Sequence, residues 1–389
     1  MFASDTVEAP EPSRMNVVRR GWVELVIVLL VACICWLGLL MLYSIGRGAQ
    51  PGKELYYFTR QAIFMGIALG GMFVAWRLNL ERLRALAWPI AAAGMLLLVI
   101  VLIPGIGKET NGARRWILLG PLTLQATDMA KVALLFTLSH FLANNQRHHG
   151  TFLRGFILPG IVVGIPVVLV FLEPDYGTAV LFAAVGGILL FLAGVRLYYL
   201  IPTALAGVGA FAYLVSNDPV RLARITSFLD LEANRSEGAY QLWQGIVGFG
   251  VGGIDGVGLG QGRQQLAFLP EAHTDFIFPI IGEEMGLIAT SLVVAGFALF
   301  FVLVTSQLRR APNLFQFLLV TGAMLFITLQ ALINFGVSTG LLPTKGMSLP
   351  MISYGGSNLL GNFILIGIIL NCLHEWRRPL RDVAGEVTY

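Results

Sequence analysis

Long apolar runs, each about 20 residues and separated by short polar segments, recur between residues 22 and 373 of this 389-residue chain. At 1.5 Å of rise per residue, a run of that length matches the hydrocarbon thickness of a bilayer. The pattern predicts about ten spans, near residues 22–45, 57–76, 86–104, 127–144, 155–172, 177–194, 197–215, 276–305, 314–336 and 352–373. Hydrocarbon cannot satisfy backbone amides and carbonyls, so the runs must be helices and the expected class is an all-α polytopic membrane protein. The longest break, 216–275, lies between the seventh and eighth spans. Inside it, 240–253 (YQLWQGIVGFGVGG) is too apolar for a free linker and too short to span, which predicts an interfacial or re-entrant helix.

Composition agrees: 56% of residues are hydrophobic and 12% charged, against roughly 25% charged in a soluble domain. The net charge of +4 resides largely in the loops, where it sets topology and gives no sign of a nucleic-acid partner. With the N-terminus inside, the inner segments hold Arg14, Arg19, Arg20, Arg77, Arg82, Arg84, Arg147, Arg154, Arg196, Arg309, Arg310, Arg377, Arg378 and Arg381. The short outer loops hold about half as many basic residues. Both termini are therefore expected to be cytoplasmic, as a polar disordered tail over 1–21 and a short tail over 374–389. The first apolar run is too long for a cleavable signal and is expected to stay as a span. The same orientation puts 105–124, 216–275 and 340–350 outside. Cys33, Cys35 and Cys372 fall in or at the end of apolar runs and read as small core residues.

Candidate chemistry collects on the outer face. The stretch 269–284 (LPEAHTDFIFPIIGEE) crowds four acids and a histidine at the start of a long apolar run. Asp275, at the mouth of a membrane helix, suits a partly desolvated base; helix-ending interfacial charge is the plain alternative. If helix continued from Glu271, Asp275 would lie about 40° from it and Glu283 about 80° further, with Glu284 pointing away and Pro279 free to disturb the phase. His273 suits orienting a carboxylate, contacting phosphate, or anchoring at the interface. Arg114 and Arg115, in GARRW, fit bidentate phosphate binding or ordinary interfacial anchoring equally.

Asp128 and Lys131 stand at i,i+3 and can pair on one helical face, as a structural pair or facing substrate. Glu173, Pro174 and Asp175 form an acidic turn whose economical reading is a cap by Asp175 on the following helix. Lys345, Ser353, Tyr354, Gly355, Gly356, Ser357 and Asn358 surround the entrance of the last span. Gly248, Gly250 and Gly253 spell GxGxxG, but without the flanking strand that a nucleotide site needs, so no nucleotide is expected.

Together, GARRW at Gly112, EPDYGTA at Glu173, YQLWQ at Tyr240, GVGLGQG at Gly256, LPEAHTDFIF at Leu269, GEEMGL at Gly282 and LPTKGMSLPMISYGGSN at Leu342 resemble the SEDS family (shape, elongation, division and sporulation). These are membrane glycosyltransferases that polymerise peptidoglycan from lipid II. The wording is closer to the division-type, FtsW-like branch than to the elongation-type, RodA-like one. Two departures stand out: the family's Gln-Pro-Ser-Glu is here Gln125, Ala126, Thr127 and Asp128, and a lysine before LPE is here Gln265.

The resemblance marks Asp275 as catalytic. It implies substrate contacts from Arg114, Arg115, Lys131, Glu271, His273, Lys345, Ser353 and Ser357, with Asp128, Glu173, Asp175 and Glu283 structural or substrate-facing. It further implies an inverting β-1,4 transfer, a divalent cation (Mg2+ or Mn2+) beside the diphosphate, and lipid II with the growing undecaprenyl-pyrophosphate-linked glycan as substrates. The expected setting is the bacterial inner membrane at the septum, among membrane lipid, other division proteins and a class B penicillin-binding transpeptidase. A lipid II flippase and a scaffold recruiting that transpeptidase are the alternatives.

Overall fold

The structure, a computed structural model, describes residues 14–47, 55–110, 113–120, 122–236, 238–264 and 269–377. The helices are α1 (Arg14–Arg47), α2 (Tyr56–Arg77), α3 (Leu80–Arg84), α4 (Ala87–Leu102), α5 (Ala126–Asn144), α6 (Leu158–Leu172), α7 (Tyr176–Leu192), α8 (Leu197–Ser216), α9 (Pro219–Leu229), α10 (Tyr240–Gly252), α11 (Ile277–Gln307), α12 (Leu314–Ser338) and α13 (Gly356–Glu375). Among the described residues, seven helical segments are long and apolar enough to cross a membrane. The shorter apolar helices α4 and α7, and α5 with Asp128 and Lys131 in its first turns, occupy the other predicted runs. Helix α1 reaches back to Arg14, into the segment expected as a tail; residues 1–13 and 378–389 of the expected tails, and Gln265, lie outside the described residues.

Three helices form the centre. Helices α5, α12 and α13 are buried along most of their length, whereas α8 is almost wholly exposed to its surroundings. Helix α13 lies along α2, and α12 touches α5, α7, α11 and α13. Apolar side chains from these helices form one continuous core.

The purely helical expectation needs one correction. The segment between α4 and α5 folds as a three-stranded antiparallel sheet, β1 (Gly107–Thr110), β2 (Ala113–Leu119) and β3 (Leu122–Gln125), in the order β1-β2-β3. Trp116 faces Gln125 and Ile117 faces Leu124 in the β2–β3 register. Strand β3 runs directly into α5, and Ser357 on α13 clamps that junction: its Oγ donates to the Thr123 carbonyl (2.8 Å) and accepts from Gln125 N–H (2.9 Å).

The segment after the seventh long run contains α9 and α10, and α10 packs on α11. Helix α11 is broken at Gly286 (φ 73°, ψ −171°), not at Pro279, which sits in the first turn where its missing N–H costs little. A break inside an apolar region needs substitute partners for the freed backbone groups. The chain following α10 supplies them reciprocally. Leu287 and Ile288 amides donate to the Gly253 and Ile254 carbonyls, while Val257 and Gly258 amides donate to the Glu283 and Glu284 carbonyls. A β-carbon at Gly286 would lie 2.1 Å from the Ile254 carbonyl oxygen, so only glycine permits both the conformation and the approach.

Candidate active site

Residues 269–276 form a series of turns, and helix begins only at Ile277. Glu271 is in the left-handed region (φ 53°), so the helical phase expected from Glu271 through Asp275 to Glu283 does not apply. What fixes this loop is its backbone. The carbonyl of His273 accepts from Tyr354 N–H (2.9 Å), that of Thr274 from Ser353 Oγ (2.5 Å), and that of Asp275 from Asn334 Nδ2 (2.8 Å). Three consecutive carbonyls are thus held by α12 and by the segment before α13. Ser353 is itself fixed, its Oγ accepting from Leu349 N–H (2.8 Å) and its carbonyl accepting from Gln61 Nε2 (3.1 Å).

The Asp275 carboxylate lies against the backbone at Gly346, where an added β-carbon would stand 2.6 Å from Oδ2. Burial pushes this carboxyl up to about 7 from an ordinary 3.8; the negative charges of Glu271 and Asp175 add to the rise, and Arg115 opposes it. A carboxylate of that proton affinity can take a proton from a hydroxyl near neutral pH.

Strand alternation separates the two arginines of GARRW. Arg115 reaches the turn before α7: Nη2 donates to the Pro174 carbonyl (2.5 Å), Nε to that of Glu173 (3.3 Å), and Nη1 stands 4.0 Å from Asp175 Oδ2. Arg114 turns to the other face and pairs with exposed Glu109 at 3.1 Å. Asp175 also caps α7, its Oδ1 accepting from Thr178 N–H at 3.3 Å.

The Glu173 carboxyl is wholly buried with no hydrogen-bond partner on either oxygen. Burial, reinforced by Asp175, pushes it up to about 9, so it is a neutral acid at pH 7. Lys345 passes Gly177, and its Nζ lies 5.0 Å from the Phe211 ring and 5.7 Å from that of Tyr176.

Other expected site residues are placed elsewhere or differently. Burial holds the His273 imidazole below its usual range, and its ring packs on Tyr57 (centroids 4.4 Å) and near Tyr354 (5.7 Å), which suits an aromatic wedge better than a cationic phosphate contact. Asp128 and Lys131 pair with each other at 3.0 Å inside the α5–α13 contact, with Asn358 Nδ2 donating to Asp128 Oδ1 (3.1 Å). Ser357 is engaged in its clamp. Glu283 accepts from the amides of Arg263 (2.8 Å) and Gln264 (3.1 Å), and Glu284 from Ser44 Oγ (2.6 Å). Both acids anchor the glycine-rich loop, and Glu284 is as buried as Glu283. The residues that the sequence reading missed are amides within apolar spans, Gln61, Gln330 and Asn334; a polar side chain in a membrane helix was the available signal.

A family model described as cell cycle protein, FtsW/RodA/SpoVE, matches residues 24–378. The chain belongs to this family. Relatives include the probable peptidoglycan glycosyltransferase FtsW of Coxiella burnetii, 41% identical over 90% of this chain and 95% of its own length. That of Thioalkalivibrio sulfidiphilus is 36% identical over 98% and 97%. Among solved structures, a chain from work on structural coordination of polymerization and crosslinking by a peptidoglycan synthase complex superposes with TM-score 0.75, at 28% identity over 90% of this chain and 97% of its own. Thermus thermophilus rod shape determining protein RodA gives 0.67, 28%, 90% and 96%. Family membership and the apolar helices make this FtsW/RodA/SpoVE member an integral membrane protein.

Among the described residues, no group of three or more His, Cys, Asp or Glu side chains converges as metal ligands. The donor set does not fit a resident metal. A magnesium ion accompanying a diphosphate would be carried mainly by substrate oxygens and water.

Proposed function

We propose that this chain is a peptidoglycan glycosyltransferase that polymerises lipid II into β-1,4-linked strands, with Asp275 as general base. The FtsW names of its relatives support the activity, and the observation that carries the mechanism is the Asp275 carboxylate: raised in proton affinity, partly buried, and held between Arg115 and the Lys345 loop. Asp275 takes the proton of the acceptor sugar's 4-hydroxyl as that oxygen bonds to the anomeric carbon of the growing strand. The bond from that carbon to the diphosphate breaks with inversion. The lipid diphosphate leaves as an anion, already a good leaving group, so no second carboxylate is needed to protonate it, unlike the hydrolysis of an ordinary glycoside. Arg115 and Lys345 supply positive potential where that charge develops. General-base assistance of this kind contributes about 10² to 10⁴ in rate.

The membrane arrangement belongs to the same proposal: ten spans, both termini cytoplasmic, the sheet and the 269–276 loop on the outer face, and action at the septum of the bacterial inner membrane. A class B penicillin-binding transpeptidase is the proposed partner, in keeping with a structural neighbour described as part of a peptidoglycan synthase complex. The flippase alternative drew on Asp128 and Lys131 as a polar path, and their mutual pairing favours it less. The test is polymerisation of purified lipid II by the chain with its partner. Asp275→Asn should abolish strand growth while the protein stays folded; polymer at near-normal yield removes Asp275 from the mechanism. Lipid movement across vesicles without glycan lengthening would favour transport instead.

A further inference from the structure

We infer that Asn334 is a positioning residue that sets the spacing between the Asp275 carboxylate and the Lys345 loop. Asn334 is 1% exposed near the outer end of α12. Its Nδ2 donates to two carbonyls that belong to different loops, Asp275 at 2.8 Å and Met347 at 2.7 Å, so both amide hydrogens are engaged. One turn earlier, Gln330 Nε2 donates to the Ser348 carbonyl at 2.8 Å. Together the two amides form a ladder on α12 that grips the backbone just after Lys345 and, through Asn334, the backbone of the proposed base.

The two loops also touch directly, because Gly346 leaves room for Asp275 Oδ2 where a β-carbon would stand 2.6 Å away. The two loops are therefore brought together by neutral donors acting on backbone. An amide suits this better than a charged side chain. A carboxylate at 334 could not donate to either carbonyl, and a lysine would place a charge beside Asp275 and lower its proton affinity.

This inference rests on Asp275 being the base, and the experiment separates the two. The full chain with its partner is assayed on purified lipid II for kcat, KM and the pH dependence of kcat, as wild type, Asp275→Asn, Asn334→Ala and Gly346→Ala. A displacement near 1 Å at a reacting group costs on the order of 10²-fold in rate. Asn334→Ala should lower kcat by about that factor, leave KM within about twofold, and move the pH midpoint of kcat, because the surroundings of Asp275 change. Gly346→Ala should also lower kcat and move the midpoint, by displacing the Asp275 carboxylate from the Lys345 loop with every hydrogen bond of Asn334 available, which keeps the inference testable if Asn334→Ala fails to fold. An inactive Asp275→Asn beside a folded Asn334→Ala with unchanged kcat and midpoint overturns the role of Asn334 alone. Should Asn334→Ala fail to fold, unchanged kcat and midpoint in Gly346→Ala overturn it equally. An active Asp275→Asn overturns the reading beneath it.

Discussion

The proton affinity of Asp275 makes a quantitative prediction about pH. A general base works only when ionised. With its carboxyl pushed up to about 7, the ionised fraction in the free protein is about 9% at pH 6 and about 91% at pH 8, so kcat/KM should climb roughly tenfold over that interval. A carboxyl at its ordinary 3.8 would be ionised throughout and the profile would be flat. The perturbation that tests the cause is Glu271→Gln. Burial is the largest contributor and Glu271 the next, so removing that charge should shift the midpoint toward acid without flattening the curve. The assay is initial-rate polymerisation of lipid II with partner present, from pH 5.5 to 8.5, at substrate well below KM so that kcat/KM, which reports the free protein, is read. A flat profile in an enzyme that Asp275→Asn inactivates would refute the link between burial and base strength. A midpoint indifferent to Glu271→Gln would show that Glu271 does not act on the carboxylate.

Further outcomes follow from the surrounding contacts. Arg115→Lys removes a fork that donates to two carbonyls and should lower polymerisation about tenfold or more, whereas Arg114→Ala breaks an exposed pair worth about 0.2–1 kcal/mol and should leave the rate within a few-fold. For Glu173, whose folded value of about 9 exceeds its usual 4.5, the stability associated with its proton is fully present below pH 4.5 and is lost as pH rises through 9. Glu173→Gln removes that loss, so between pH 6 and 9 the variant's Tm should fall less than the wild type's in detergent melts. Glu284→Ala strips the acceptor from Ser44 and from the Gly260 and Gly262 amides; it should cost about 1–3 kcal/mol and expose the glycine-rich loop to limited proteolysis.

The helices were legible because hydrocarbon leaves an apolar run no other way to satisfy its backbone. The sheet was not, because strands of four, seven and four residues are too short for alternation to stand out, and β3 is held by Ser357, a residue 232 positions from Gln125 in sequence. Asp275 was legible as chemistry and illegible as geometry. Continued helix from Glu271 was expected to set its phase relative to Asp275 and Glu283, but left-handed Glu271 turns the chain before α11 begins. Glu283 looked like a possible site acid because sequence shows charge without showing that a distant loop, 256–264, donates its amides to it. Arg114 and Arg115 looked alike until the strand sent them to opposite faces.

One feature of the electrostatics connects these placements. If Arg115 paired directly with Asp275, the opposite charge would lower the carboxyl's proton affinity and weaken the base, and the same pair would tie up the cation that an escaping diphosphate needs. Instead Arg115 directs its donors to the Glu173 and Pro174 carbonyls, and its Nη1 stands 4.0 Å from Asp175 Oδ2. Neutral Glu173 adds no further anion to compete for it. The work of holding the two loops falls to Asn334, Ser353 and backbone amides, none of which carries charge. A site built this way keeps an acid with raised proton affinity near the Arg115 cation without a direct ion pair between them, and it places the neutral amides of α12 on the backbone of both loops, where they can govern the proposed transfer.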